Sequence, residues 1–381
     1  MAVTMSEDRS QQMRADAPAA DEPAVEATTD SIRVLFDIGH PAQVHLFRNA
    51  RQVLERRGHE TFVASRVKEV TVELLEAYGI EHCPLTRRGE SFPGLLWELG
   101  LREKRLLSLA RRFEPDVIVS RLSPAAAHVS AIVGCRNVVV SDTLIDSRLM
   151  RLLNHRLTLP FVDTVCAPDS FDLPVSPEKR RSLDFQELAY LHPQYFQPDP
   201  LALSESGVDS SEPYYVVRLA GWDAYHDVGN QGLSPAGTRE LVGFLEQHGT
   251  VYLSSEGDLP PDLEPYRLSA PPERIHDVLY YADLYVGDSG TMSTEAALLG
   301  TPAIRTNTMV GDDDENVFHE LEQRYELLSS FRDEDEALRE VKRLVRSGID
   351  KTSRHERRDQ LIDEQPNVTE RMVDVILERT P

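Results

Sequence analysis

The turn Gly287-Asp288-Ser289-Gly290-Thr291 follows the apolar run Leu284 to Val286 and precedes a stretch rich in helix formers, from Ser293 or Thr294 to Leu299. A strand feeding a helix through such a turn points several backbone N–H groups into one small space. The positive end of the helix dipole lies there too, which makes a seat for a diphosphate. Glu295, about one turn into the helix, is spaced to accept hydrogen bonds from a ribose diol. The same residues also suit a turn that does no more than cap a helix with Ser289 or Thr291.

A second set of candidates is formed by imidazoles and charges near other strand ends. His40 and His45 follow the run Ile32 to Ile38. An imidazole with a pKa near 6.5 can deprotonate a hydroxyl close to neutral pH, so both are candidate bases. The competing readings are a turn cap for His40 and packing on the first helix for His45. Arg218, Trp222, Asp223, His226 and Asp227 follow the run Tyr214 to Val217. Arg218 can meet a diphosphate with forked donors or form a surface ion pair. His226 can act on a sugar or a phosphate, while Trp222 reads as packing. Glu256 follows Val251 to Ser254 and faces the same cleft if the sheet is parallel; otherwise it is one more exposed acid. Asp312 to Glu315 has the spacing of an Asp-x-Asp metal motif, but acidic runs are common in a chain this acidic. No metal and no cofactor is assigned. A Gly-x-Ser-x-Gly elbow, a Walker loop and a Gly-x-Gly-x-x-Gly turn after the first strand are all absent from the sequence, which argues against hydrolase, kinase and dehydrogenase chemistry.

The elements that must position these groups form two α/β series. Ile32 to Ile38 is a continuous apolar run, as in strands buried on both faces. Pro41 suits a first helical turn, and Val44, Phe47, Ala50, Val53 and Leu54 recur at helical spacing up to Gly58. Further strands are expected at 59–65, 80–85, 115–120, 136–141 and 164–167, with helices at 67–78, 92–112, 124–133 and 146–158. The second series places strands at 214–218, 250–254, 284–286, 303–305 and 327–329. Its helices are expected at 234–247, 272–281, 316–323, 333–347, 351–364 and 367–379, with Gly300 and Pro302 ending the helix after Thr291. The alternation predicts an α/β fold of two Rossmann-like doubly wound domains facing across a cleft. The expected domains are 31–167 and 213–365, joined by a proline-rich linker at 168–212. Residues 366–381 form a last helix placed to pack back on the first domain. Residues 1–30 have almost no large apolar side chains and read as a disordered acidic tail.

The chain of 381 residues carries a net charge of −23, and 36 of its 41 basic residues are arginine. An acidic, lysine-poor surface fits a halophilic source, where salt screens self-repulsion. Nucleic-acid binding is disfavoured, because no basic stripe stands out. With no apolar run long enough to span a bilayer and no basic, then apolar, leader, the expectation is a cytoplasmic protein. Cys83, Cys135 and Cys166 are widely spaced and read as small apolar residues.

The segment Gly287 to Pro302 resembles the donor site of GT-B-fold enzymes. It is nearest to the Ser-Gly-Gly-x-x-Glu-Glu-Ala…Leu-Gly-x-Pro segment of non-hydrolysing UDP-N-acetylglucosamine 2-epimerases. The resemblance implies that Asp288, Ser289, Gly290 and Thr291 form the diphosphate turn and that Glu295 holds a ribose. Thr291 stands where a second Gly is usual, and Thr294 where the epimerases have the first of two glutamates. Residues 32 to 375 also resemble a family of glycosyltransferase-like proteins of archaea and bacteria. The matching pieces are Asp37-Ile-Gly-His-Pro-Ala-Gln-Val-His-Leu-Phe-Arg, Ala189-Tyr-Leu-His-Pro, Val217-Arg-Leu-Ala-Gly-Trp-Asp-Ala-Tyr-His-Asp and Thr306-Asn-Thr-Met. What this implies is a glycosyltransferase-like enzyme that binds a nucleotide-sugar donor, UDP-linked, in the cleft and transfers the sugar to an acceptor of unknown identity. His45, helped by His40, would be the base, and His226 would act from the other side. An acceptor at a membrane surface and the oligomeric state are left open. The alternatives are a sugar-nucleotide epimerase, weakened because Asp37, Asp142 and Asp146 are the only obvious strand-end carboxylates in the first domain, and a non-catalytic nucleotide-sugar-binding protein.

Overall fold

The computed structural model describes residues 31–381 apart from 69, 88–91, 142–155, 172, 221–231, 256, 312–315 and 379–381. Near-continuous apolar runs need cover on both faces, so they assemble as parallel strands between helices. The first sheet comprises β1 (Arg33–Ile38), β2 (Glu60–Val67), β3 (His82–Arg87), β4 (Val117–Ser120), β5 (Arg136–Val140), β6 (Thr164–Ala167) and β7 (Arg180–Ser182). Its seven strands run in the order β3-β2-β1-β4-β5-β6-β7, and every pairing is parallel. The second sheet has five strands in the order β12-β11-β10-β8-β9, again all parallel. These are β8 (Tyr214–Leu219), β9 (Thr250–Ser255), β10 (Leu284–Gly287), β11 (Ala303–Thr306) and β12 (Leu328–Phe331). The protein thus has the expected pair of Rossmann-like α/β layers.

Strand order reverses between β1 and β4 in the first sheet, and between β8 and β10 in the second. A crevice opens beyond the carboxyl ends of the strands at such a reversal. His40 follows β1, Arg121 follows β4, and the Asp288 to Thr291 turn follows β10.

Helices α1 (Pro41–Arg56), α2 (Thr71–Ala77), α3 (Phe92–Phe113) and α4 (Pro124–Val133) belong to the first series. The stretch read as a linker does more than connect. It contributes β7 to the edge of the first sheet, then α5 (Leu188–Leu191) and α6 (Leu201–Glu205). β7 was not legible as a strand because Arg180-Arg181-Ser182 is short and charged, as edge strands often are. The second series supplies α7 (Pro235–Leu245), α8 (Ile275–Tyr281), α9 (Gly290–Leu298), α10 (Asn316–His319) and α11 (Glu334–Ser347), and α12 (Lys351–Glu364) and α13 (Val368–Leu377) close the chain. The helix expected at 146–158 lies mostly outside the described residues.

One apolar core runs through both layers, holding Val34 and Phe36 of β1 together with Val216 of β8 and Ala296 of α9. All four side chains of α5 are buried. Asn49 on α1 and Thr369 on α13 both donate to the Ala189 carbonyl of α5, at 2.8 and 2.7 Å. The last helix is also tied to the first sheet by Arg136, which donates to the carbonyl of Val375 at 3.1 Å, and by the Arg181–Glu378 ion pair at 2.6 Å.

Candidate functional site

Helix α9 starts at Gly290, earlier than the helix-former content suggested, because Ser289 is its N-cap. The Ser289 hydroxyl accepts from the Met292 amide, and the Ser289 carbonyl from the Ser293 amide at 3.1 Å. Among the described residues, the amides of Gly290 and Thr291 are then the open donors at the positive end of the helix. Ser289 and Gly290 are half-buried, and Thr291 is exposed. At Gly287 an added Cβ would lie 2.5 Å from the Tyr285 hydroxyl and 2.8 Å from Cβ of Arg218. Only glycine lets the strand end pass there. At Gly290 the nearest neighbour of such a Cβ would be the Phe318 ring at 3.1 Å.

Two arginines are the register partners of Gly287, Arg218 on β8 and Arg305 on β11. Arg218 donates to the Ser254 hydroxyl at 2.8 Å. Arg305 is buried, with its guanidinium 3.5 Å above the Phe318 ring. Asp288 turns inward. Its carboxylate accepts from the Ala220 amide at 2.6 Å, and its carbonyl accepts from Asn307 at 2.9 Å. Asp288 therefore fixes the end of β8 against the turn.

A cavity of about 240 Å³ brings the two sheet ends together. His40, Ala42, Gln43 and Leu46 from the head of α1, Arg121 after β4, Gln186, Glu187 and Tyr190 around α5, and Thr291 at the head of α9 line it. His40 is the N-cap of α1, and its Nδ1 accepts from the Ala42 amide at 3.2 Å. The neutral ring consequently carries its proton on Nε2.

Behind that wall lies a buried aromatic and ionic cluster. Oε1 of Glu295 accepts from the Tyr190 hydroxyl at 2.7 Å and sits 3.1 Å from Nε2 of His276 on α8. His45 packs edge-on against His276 with ring centroids 4.7 Å apart, and its Nδ1 is 3.3 Å from the Tyr78 hydroxyl. Burial holds the His45 pKa well below the ordinary imidazole value, and the neighbouring His276 and Arg48 charges push the same way. Burial also raises the Tyr78 hydroxyl to about 12, so it stays protonated.

This fold recurs among solved structures. UDP-GlcNAc 2-epimerase of Neisseria meningitidis, solved with UDP-GlcNAc, is 13% identical, matches with a TM-score of 0.62 and covers 91% of this chain and 100% of its own. For the UDP-GlcNAc 2-epimerase of Methanocaldococcus jannaschii the values are 12%, 0.61, 90% and 99%. For a glycosyltransferase of Streptomyces sp. SF2575 they are 16%, 0.54, 91% and 100%. The fold is GT-B-like. No family model matches the chain. An uncharacterised protein of Methanocaldococcus jannaschii is 23% identical over 287 residues, 72% of this chain and 81% of that one.

Of the residues singled out from the sequence, His40 and Thr291 meet at the cavity, and Ser289 and Gly290 form the helix head beside it. His45 and Glu295 are drawn together elsewhere, through Tyr190 and His276, and neither lines the cavity. His45 lies on the buried side of α1 that packs against Tyr78 and Tyr190, whereas Ala42 and Leu46, four residues apart, share the side that reaches the cavity. His226, Glu256, Trp222, Asp142, Asp146 and the acidic run 312–315 lie outside the described residues. Asp37 is held in a buried ion pair with Arg102 and accepts from the Ser123 hydroxyl at 2.8 Å. Gln186, Glu187, Arg121, His276 and Arg305 were not singled out. For Arg305 a signal existed, a lone charge inside the apolar strand Ala303–Thr306. For Gln186 there was none. Burial pushes the Cys135 and Cys166 thiols up to about 12, so neither is a nucleophile near neutral pH.

Proposed function

We propose that this chain binds a nucleotide-diphosphate sugar, UDP-linked, between its two sheets and transfers the sugar to an acceptor. The observation that carries the reading is the shared cavity at both strand-order reversals, with the capped head of α9 on one side and His40 and Arg121 on the other. Residues 213–365 would be the donor half and 31–167 the acceptor-side half. The Gly290 and Thr291 amides and the dipole of α9 hold the diphosphate, and Arg218 and Arg305 add positive potential beside the turn. A volume of about 240 Å³ is below the usual range of about 300–1,000 Å³ for a ligand pocket, so part of a nucleotide sugar would lie outside it.

Transfer needs charge stabilisation on the departing diphosphate and a base for the acceptor hydroxyl. The helix head supplies the first. His40, whose Nδ1 accepts from the Ala42 amide, and Glu187 are the imidazole and the carboxylate of the cavity, and in this reading Glu187 takes the hydroxyl proton. His45 stays a neutral support behind Tyr190, and Glu295 orients Tyr190 through its hydroxyl. The same Glu187 could instead remove and return a proton at a sugar carbon, which makes sugar-nucleotide epimerisation the second reading.

Calorimetric titration with UDP and UDP-sugars at high salt tests binding, and mass spectrometry of the donor in D2O tests chemistry. Binding of UDP with loss of the sugar to an acceptor supports transfer. Deuterium gained by the UDP-sugar without transfer favours epimerisation. Failure of any nucleotide to bind overturns both readings.

A further inference from the structure

Helices α3 and α4 lie side by side on one face of the first sheet, where Leu106 and Leu109 of the one share a buried core with Ala126 and Val129 of the other. The helical turn Leu159–Phe161 packs beyond α4, with Leu159 against the core that holds Ala127. The outward side of these elements is apolar in places. Trp97 on α3 is 77% exposed, Ile132 on α4 60%, Phe161 44% and Leu157 43%. They are four of the seven large apolar side chains that are exposed among the described residues. His128 joins the elements. Its Nδ1 is 2.7 Å from the Glu103 carboxylate of α3, and its ring meets Phe161 edge-on with centroids 5.1 Å apart. Ile132 lies one turn further along α4.

The same face is basic, in a chain whose net charge is −23. Lys104, Arg111 and Arg112 of α3 are exposed, as are Arg105, which also donates to the Leu85 carbonyl, and Arg156 beside Leu157. Trp97, Lys104 and Arg111 follow one another at intervals of seven, so they share one stripe of the helix. Neither acid of α3 is exposed, since Glu98 is buried and the half-buried Glu103 faces His128. The exposed acids that follow, Glu114, Asp116 and Asp163, are tied to Arg33 and Asn137 at the amino edge of the sheet. The first half of α3 is fixed to the opposite, carboxyl edge. Arg102 pairs with Asp37 of β1, and Glu98 accepts from Arg66 of β2 and from the Thr86 hydroxyl of β3, both at 2.8 Å. From that edge His40 and Arg121 line the cavity.

We propose that this face docks the protein on an anionic lipid membrane, with Trp97 at the interface and Lys104, Arg111 and Arg112 against the headgroups. A tryptophan ring suits that boundary because it is apolar in body and polar at its N–H, and basic residues beside it are drawn to anionic lipid. A second copy of the same face is disfavoured, since two-fold pairing would set the basic residues against one another. A polyanion such as nucleic acid accounts for the charge but not for four exposed apolar side chains. The inference is independent of what the cavity holds. Docking through Trp97 brings the carboxyl edge of the first sheet to the lipid surface.

Flotation of the full chain with vesicles of phosphatidylglycerol and phosphatidylcholine, and with phosphatidylcholine alone, tests this. A chain with a net charge of −23 floats with an anionic surface only if it presents an oriented basic face. The wild type should float with the anionic vesicles at about 0.15 M salt and less at about 1 M, where the Debye length falls to about 3 Å. Replacing Lys104, Arg111 and Arg112 together by Gln should weaken partition about a hundredfold, roughly fivefold for each residue. Trp97→Ala should weaken it about tenfold and remove the blue shift of tryptophan emission on anionic vesicles. Leu201→Ala, which removes a side chain 69% exposed on another element, should partition like the wild type. No flotation with anionic vesicles overturns the proposal, and so does equal flotation with phosphatidylcholine alone. Flotation unaltered in both variants of this face overturns it too, because another surface would then be responsible. Retention on duplex DNA that the Gln variant loses, without flotation, assigns the face to a polyanion and overturns membrane docking.

Discussion

At the residue scale, the donor turn combines a geometric demand and an electrostatic one. Gly287 meets the first. Gly287→Ala places a methyl against the Tyr285 hydroxyl and the Arg218 Cβ, in a region closed by β8 and β11. Overpacking of this kind costs about 1–3 kcal/mol, which urea unfolding should show as a lower midpoint with unchanged slope. Thr291 meets the second. A carboxylate at the head of α9 interacts favourably with the helix dipole but occupies the anion seat. Thr291→Glu should therefore leave the thermal midpoint of the unliganded protein equal or higher while abolishing UDP binding in calorimetry. A variant that still binds UDP would remove the helix head from the site. The cap itself was legible, because Ser289 and Met292 are neighbours in sequence and the chemistry is local. The partners of Glu295 were not. Tyr190 is 105 positions away and His276 is 19, and no spacing rule joins a glutamate on one helix to a tyrosine in a segment read as linker.

At the scale of elements, α5 is the piece that joins the layers. Its backbone carbonyl at Ala189 receives one donor from α1 and one from α13, so three elements meet on a single oxygen. Thr369→Val keeps the shape and removes one donor, and Asn49→Leu removes the other. Each should cost about 1 kcal/mol in urea unfolding, since the carbonyl keeps one partner. The double variant orphans a buried carbonyl and should lose about 1 kcal/mol more than the sum. Strict additivity would mean that α5 is held by apolar packing alone. Apart from β7, the strands of both sheets were readable from the sequence, most of them as apolar runs that must be covered on two faces. The sequence could not show where Leu188 to Leu191 docks, because docking depends on the orientation of the layers, which is set by contacts among residues far apart in the chain.

At the scale of the molecule, the core that runs through both layers carries the pH dependence of the fold. His45 is surrounded by Tyr78, Tyr190 and His276, with Arg48 on its own helix and Glu295 behind His276 and Tyr190. Its folded pKa lies well below the 6.5 of a free imidazole, first through burial and then through His276 and Arg48. Burial lowers the imidazoles of His59, His82 and His192 in the same direction. The unfolded chain therefore binds protons that the folded chain refuses. The stability from keeping these rings neutral is fully present above about pH 6.5 and is lost as the pH falls below it towards the folded values. Differential scanning calorimetry between pH 8 and pH 5 should show a falling midpoint. Lysine and arginine stay charged throughout this range, and ordinary carboxylates titrate mostly below it. His45→Gln removes the imidazole and leaves the other three. Its midpoint should be lower than that of the wild type at pH 8, because the aromatic packing is lost. Its decline towards pH 5 should be shallower, so the two curves converge as acid is added. Parallel curves would mean that His45 is not the ring whose protonation loosens this core.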